Sequence, residues 1–241
     1  MSIAVRIPGL TIVNPDALVV KKYPTDYDLS WTADRFADQV GAVLTTVSSD
    51  ITGGTALIAP SGRTGTTIEQ KSDGHIQFGT PAPNDLLKSD ATVSTARTIF
   101  VASRQANYFS TVIRHIFSVN GFGIGIFSDG IHAVTTSSNT VENAATLPAV
   151  PSTGEKFHAV LRRSSEGSAT LFARKQSNVD IMRIDLTIPT PGTELNGVFG
   201  GVLGGATGAN SAAAMQLRSW PRALTDDEVD TVLSSSAARY E

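Results

Sequence analysis

Beyond residue 95 the apolar positions fall into short runs, or alternate with polar ones, at 98–102, 112–117, 122–127, 157–161, 170–173, 181–188 and 214–220. Between them stand Asn120-Gly121, Asp129-Gly130, Ser152-Thr153-Gly154, Glu166-Gly167 and Pro189-Thr190-Pro191-Gly192. Short strands punctuated by Asn-Gly and Asp-Gly turns predict an antiparallel β-sandwich. Met182-Arg183-Ile184-Asp185-Leu186-Thr187-Ile188 keeps a period of two, which predicts a strand with one wet face. Phe122-Gly123-Ile124-Gly125-Ile126 alternates large residues with glycine, so one face packs while the other admits a close neighbour.

One helix is predicted, at the C-terminal end. Thr225 precedes Glu228 by the three residues of a capping box, and Asp226 and Asp227 suit the positive end of the helix dipole. Val229, Val232, Leu233 and Tyr240 follow at roughly helical spacing. A weaker helical pattern over 32–47 is interrupted by Gly41 and the β-branched run at 43–47. The first 28 residues read as an extended arm, with Pro8-Gly9 and Asn14-Pro15-Asp16 separating strand-like runs at 3–7 and 18–20. This divides the chain into an arm, 1–28, and a sandwich, 29–241. The arm's apolar residues Ile3, Val5, Ile7, Leu10, Ile12 and Val13 are its expected assembly contacts. They would serve either an edge strand of the same domain or a neighbouring subunit.

Composition narrows the function classes. At 241 residues, with 41% hydrophobic and 17% charged, the chain can bury a sizeable core. A net charge of -3 supplies no basic field for nucleic acid. The absence of cysteine removes disulfides, thiolate metal sites and cysteine nucleophiles. The start of the chain lacks a basic segment followed by a long apolar run, so neither an ordinary signal peptide nor membrane insertion is expected.

Several stretches resemble the concanavalin A-like lectin/laminin-G superfamily. They are Asp73-Gly74-His75-Ile76-Gln77-Phe78, Thr98-Ile99-Phe100-Val101-Ala102-Ser103, Gly154-Glu155-Lys156-Phe157-His158-Ala159-Val160 and, most specifically, Ser219-Trp220-Pro221-Arg222-Ala223-Leu224-Thr225-Asp226-Asp227-Glu228-Val229. Leu29-Ser30-Trp31-Thr32-Ala33-Asp34 is a looser match. The resemblance implies an all-β, two-sheet antiparallel jelly roll with one short C-terminal helix. It does not imply one activity, because the superfamily includes lectins, glycosidases, adhesion modules and virion proteins.

A glycosidase of this superfamily would present carboxylates two residues apart on one strand, facing one cleft. Asp26-Tyr27-Asp28 has that spacing but lies in the leader beside Pro24, and Asp226, Asp227, Glu228 and Asp230 are explained by helix capping. His75, His115, His132 and His158 lack metal-site spacing, and no Gly-x-Ser-x-Gly elbow occurs. No catalytic residue and no enzyme activity are therefore expected. The glycine-rich stretch 197–205 lacks the Gly-Lys-Ser/Thr ending of a phosphate loop and reads as strand and turn. No cofactor is expected; for calcium, common among the superfamily's relatives, Asp129, Asn139 and Asp180 are loop candidates outside any dense acidic string. Glycan binding needs aromatic faces with planar polar partners. Tyr108, with Arg104 and Asn107, is the first candidate, and Tyr23 and Tyr27 are the next.

The arm, the missing signal and the small-residue-rich sandwich also resemble tailed-bacteriophage structural proteins. The expectation is a non-catalytic virion protein of a tail, fibre or capsid appendage, assembled in the bacterial cytoplasm. It would contact copies of itself and other virion proteins. The alternative is a carbohydrate-binding adhesin or lectin-like domain that recognises a host surface glycan.

Overall fold

The strand Lys156–Ser165 shows how the layers arise. Phe157, Ala159 and Leu161 enter one apolar cluster, while Val160 joins a second on the opposite face. Side chains of a strand alternate between its two faces, so a strand apolar at both parities must be covered twice.

The computed structural model of the chain describes residues 22–79, 87–92, 97–104, 114–119, 121–137, 140–148, 151–165, 167–187, 196–200 and 213–241. Among them the strands form three antiparallel sheets. The six-stranded sheet runs β1 (Leu29–Thr32), β18 (Gln216–Trp220), β8 (Thr98–Arg104), β13 (Lys156–Ser165), β14 (Ser168–Lys175) and β15 (Asn178–Thr187). The eight-stranded sheet runs β12 (Thr140–Leu147), β11 (Gly130–Ser137), β10 (Phe122–Phe127), β9 (Arg114–Val119), β16 (Asn196–Phe199), β7 (Leu87–Thr92), β4 (Leu57–Ile58) and β3 (Thr46–Val47). A four-stranded sheet, β17 (Ala213–Ala214), β6 (Ile76–Gly79), β5 (Thr66–Gln70) and β2 (Val43–Leu44), completes the set.

The first cluster lies between the large sheets, where β8 and β13 meet β9 and β10, and β15 meets β12. Trp31 and Phe117 pack edge to face there, with ring centroids 6.1 Å apart. Met182, Ile184 and Leu186 turn inward along β15, while Arg183 and Asp185 are exposed, which is the alternation expected of that strand. Phe78 and the buried Phe36 join the small sheet to the same core.

The second cluster covers the outer face of the six-stranded sheet. Phe100, Val160, Phe172 and Trp220 meet Leu224 and the Val229, Val232, Leu233 and Tyr240 side chains of α1 (Asp226–Tyr240). Burying each large side chain contributes about 1.5–3 kcal/mol, so this helix is held by packing more than by its own propensity. Its start follows the predicted capping box, with Thr225 accepting from the Glu228 N–H and Glu228 accepting from the Thr225 N–H.

Three details go beyond the sequence expectation. The sandwich carries a third, small sheet beside the two large ones. The helical pattern after Thr32 becomes a 3-10 stretch, Ala33–Gln39, and the β-branched residues after Gly41 become β2 and β3. The leader from Lys22 to Asp28 packs on its own domain. Tyr23 and Tyr27 join the second cluster, Trp220 Nε1 donates to the Pro24 carbonyl at 3.2 Å, and the Asp28 N–H donates to the Ser219 carbonyl at 3.0 Å. The six arm residues Ile3, Val5, Ile7, Leu10, Ile12 and Val13 lie outside the described residues.

Candidate functional site

The docked leader leaves a cavity of about 290 Å³ against the start of α1, lined by Lys22, Tyr23, Pro24, Thr25, Asp26, Arg222 and Glu228. Arg222 stands just after β18, and Glu228 is the third residue of α1, so the sheet and helix fix one wall. The leader supplies the other. Arg222 donates from Nε to Asp26 Oδ2 at 2.6 Å and from Nη2 to Asp26 Oδ1 at 3.0 Å. Its Nη1 and Nη2 each donate to Glu228, both at 2.7 Å. Bidentate guanidinium–carboxylate pairs fix geometry in two directions. The hydrogen bonds from Arg222 hold both the Asp26 and the Glu228 carboxyls below the usual carboxylate range, against the opposing pull of burial.

Tyr23 is held equally firmly. The Arg218 guanidinium lies over the Tyr23 and Tyr27 rings, 5.2 and 4.8 Å from their centroids, and donates to the Tyr23 hydroxyl. Burial raises the Tyr23 pKa above its ordinary value despite the nearby Arg218 charge, so the hydroxyl keeps its proton. The cavity thus combines an aromatic residue and planar polar groups on pre-set supports. Such a set can bind a polar, ring-shaped ligand.

Of the first glycan candidates, Arg104 ends β8, while Asn107 and Tyr108 lie outside the described residues. Arg104 donates to Asp73, whose Oδ2 also takes the Lys156 ammonium at 2.8 Å. Lys156, almost fully buried, also donates to the Tyr240 carbonyl at the end of α1. Burial pushes the Asp73 carboxyl up, but hydrogen bonds from Lys156 and the His75 N–H, with the Arg104 charge, hold it at about 2. This ionic knot ties the Asp73-Gly74 turn to α1 and leaves little of Arg104 for a ligand.

The remaining candidates are engaged elsewhere. Asp28, the partner of Asp26 in the two-residue carboxylate spacing, accepts from Ser219 Oγ at 2.5 Å, whereas Asp26 faces Arg222. The two serve different contacts and form no acid–base pair. His158 accepts or donates at Nδ1 with Ser236 at 2.9 Å and stacks on Tyr240. His75 meets the same tyrosine edge-on. His132 lies between Asp129 at 2.6 Å and Thr146 at 3.2 Å. His115 is buried, and among the described residues neither ring nitrogen has a hydrogen-bond partner. Of the calcium candidates, Asp129 faces His132, Asp180 lies within β15, and Asn139 is outside the described residues. No group of three or more metal-ligating side chains occurs among the described residues. A second cavity, about 350 Å³ between α1 and β15, is lined by Ile181, Asp230, Thr231, Ser234 and Ser235 and offers no aromatic wall.

From sequence alone Tyr23 stands behind Tyr108, and nothing joins Asp26, Arg222 and Glu228. Nothing local links residue 26 to residue 222; only the return of the chain along β1 and β18 does so.

No protein-family model and no curated protein matches the chain. Solved structures do. A GH54 α-L-arabinofuranosidase is similar over 86% of this chain and 53% of its own, at 10% identity and a TM-score of 0.58. The botulinum neurotoxin type G receptor binding domain is similar over 88% and 51%, at 12% identity and a TM-score of 0.57. Domain 4 of AbnA, a GH43 extracellular arabinanase from Geobacillus stearothermophilus solved in complex with arabinotriose, is similar over 86% and 98%, at 13% identity and a TM-score of 0.53. The chain spans about half the length of the first two and nearly all of the third. With identities this low, the likeness establishes fold: an antiparallel, jelly-roll-like β-sandwich with a short C-terminal helix.

Proposed function

We propose that this chain is a carbohydrate-binding domain that acts without catalysis, and that the leader cavity is its site. The observation that carries the reading is the cavity itself, where Tyr23 stands beside Asp26, Arg222 and Glu228 in a space suited to a sugar ring. The similarity to a domain solved with arabinotriose, and to a toxin receptor binding domain, supports the same reading. Titration calorimetry against a broad panel of oligosaccharides, with and without calcium, tests it. Saturable binding is expected; silence across the panel from correctly folded protein rejects it.

Assembly within a virus particle, as a bacteriophage tail, fibre or capsid appendage protein, is the second reading. It is motivated by the sequence of the arm, which places Ile3, Val5, Ile7, Leu10, Ile12 and Val13 close together ahead of the sandwich. The mechanism would be burial of Ile3, Val5, Ile7, Leu10, Ile12 and Val13 against a second copy or another virion protein. Light scattering on the full chain and on a form starting at Lys22, which keeps the cavity, tests this. A multimer that becomes monomeric supports assembly through the arm; two monomers refute self-assembly.

A further inference from the structure

We infer that the leader cavity selects an uncharged, hydroxyl-rich ligand, a single neutral sugar unit, and discriminates against acidic sugars. This rests on the carbohydrate-binding reading and specifies its ligand chemistry. Among the described residues the charges lining the cavity balance, with Lys22 and Arg222 against Asp26 and Glu228. An anionic ligand would need a cation with donors to spare. A guanidinium has five N–H donors, and four of those on Arg222 already point at Asp26 and Glu228. Arg218 is committed behind the wall, to Ser30 Oγ at 3.1 Å and to the Tyr23 hydroxyl. Among the described lining residues only Lys22, which is exposed, is left to meet a negative charge.

Acceptors, by contrast, are plentiful. An ionised carboxylate has about four acceptor positions. Asp26 gives two of its positions to Arg222 and keeps 52% of its side chain exposed. Glu228 gives three positions to Arg222 and the Thr225 N–H. Sugar hydroxyls are donors that suit such fixed acceptors, and charge-assisted hydrogen bonds are the stronger kind. The volume of about 290 Å³ sits at the low end for ligand cavities, which fits one ring at a chain end better than a long stretch of polymer. Trp220, whose Nε1 is bonded to the Pro24 carbonyl, lies against the leader and reports on its state by fluorescence.

The experiment titrates full-length protein with arabinotriose, xylotriose, mannotriose and trigalacturonate, following Trp fluorescence and heat. A neutral trisaccharide is expected to bind at least about tenfold more tightly than trigalacturonate. Its affinity should change by less than about threefold between about 0.05 and 0.5 M NaCl, because no net charge is paired. Tighter, salt-sensitive binding of trigalacturonate would overturn the ligand class while leaving the carbohydrate reading intact. If no saccharide binds to folded protein, both fall. Thr25→Gln, an exposed lining position that makes no hydrogen bond among the described residues, fills the cavity without breaking a contact. It should weaken the neutral ligand at least about tenfold, and unchanged affinity in a folded variant would remove the ligand from this cavity.

Discussion

His115 makes a sharp test of how this fold responds to acid. It lies on β9 in register with Gly125, on the face turned away from Ile124 and Ile126, which enter the core between the large sheets. It is buried, and neither ring nitrogen has a hydrogen-bond partner among the described residues. Burial alone lowers its pKa from 6.5 to about 4. Between those two values the unfolded chain binds a proton that the folded chain refuses, so stability falls as pH falls from 6.5 towards 4. At about 1.4 kcal/mol per pH unit, the loss due to His115 between pH 7 and pH 5 is about 2 kcal/mol. The perturbation is His115→Leu, which retains an apolar body of similar size and removes the titrating ring. Urea unfolding at pH 7 and pH 5 measures the difference. The variant should keep about 2 kcal/mol that the wild type loses, and its stability at pH 7 should rise because two buried polar atoms with no partner among the described residues are gone. Equal losses in the two proteins would refute the reasoning. The residual slope belongs to His158, held at about 3 by burial, with the Arg174 and Lys156 charges adding to it. The Asp73 contribution leaves only at lower pH, because its stabilisation is complete above 3.8 and is lost as pH falls towards about 2.

Three further outcomes are expected. Thr225→Ala removes the acceptor of the Glu228 N–H and should lower stability by about 1 kcal/mol in chemical unfolding. Gly65→Ala should cost about 2 kcal/mol or more, since φ is +105° and a Cβ would fall 2.2 Å from the Leu44 carbonyl oxygen where β2 meets β5; an unshifted melting temperature would contradict this. Arg222→Ala should lower global stability by less than about 1 kcal/mol, because its pairs are partly exposed. The same variant should speed tryptic cleavage at Lys22 and abolish saccharide binding, and unchanged cleavage would show that the leader is held without it.

The sheet-forming part of this chain was legible because local chemistry and burial agree there. Period two along 182–188 placed Met182, Ile184 and Leu186 inward, and the capping box located the start of α1. Double burial of the six-stranded sheet was harder to see. Val160 and Phe172 look like ordinary strand residues until α1 is laid over them, and that contact joins residues about 57 to 80 positions apart. The site was harder still. Asp26 read as one of two adjacent carboxylates, Glu228 as a cap and Arg222 as part of a family motif. Each reading is locally sound, and Glu228 does cap α1. Their shared cavity depends on the antiparallel register of Leu29 with Ser219, which carries the leader past the start of α1. No local pattern encodes a register between segments that far apart.

That register also explains why a site would arise at the leader. A sandwich buries its strand faces in core, so recognition falls to segments that cross its surface. A crossing segment binds well only when its side chains are held before the ligand arrives, since ordering them on binding weakens affinity. The leader meets this condition through contacts that serve the fold. Trp220 holds Pro24, Arg218 holds Tyr23, and Arg222 holds Asp26. All three anchors come from within or just beyond β18, a strand bonded on both sides. The cavity therefore inherits the rigidity of the sheet although most of its wall is irregular chain. Loss of any one anchor is expected to reach the ligand through the leader's position and not through direct contact alone.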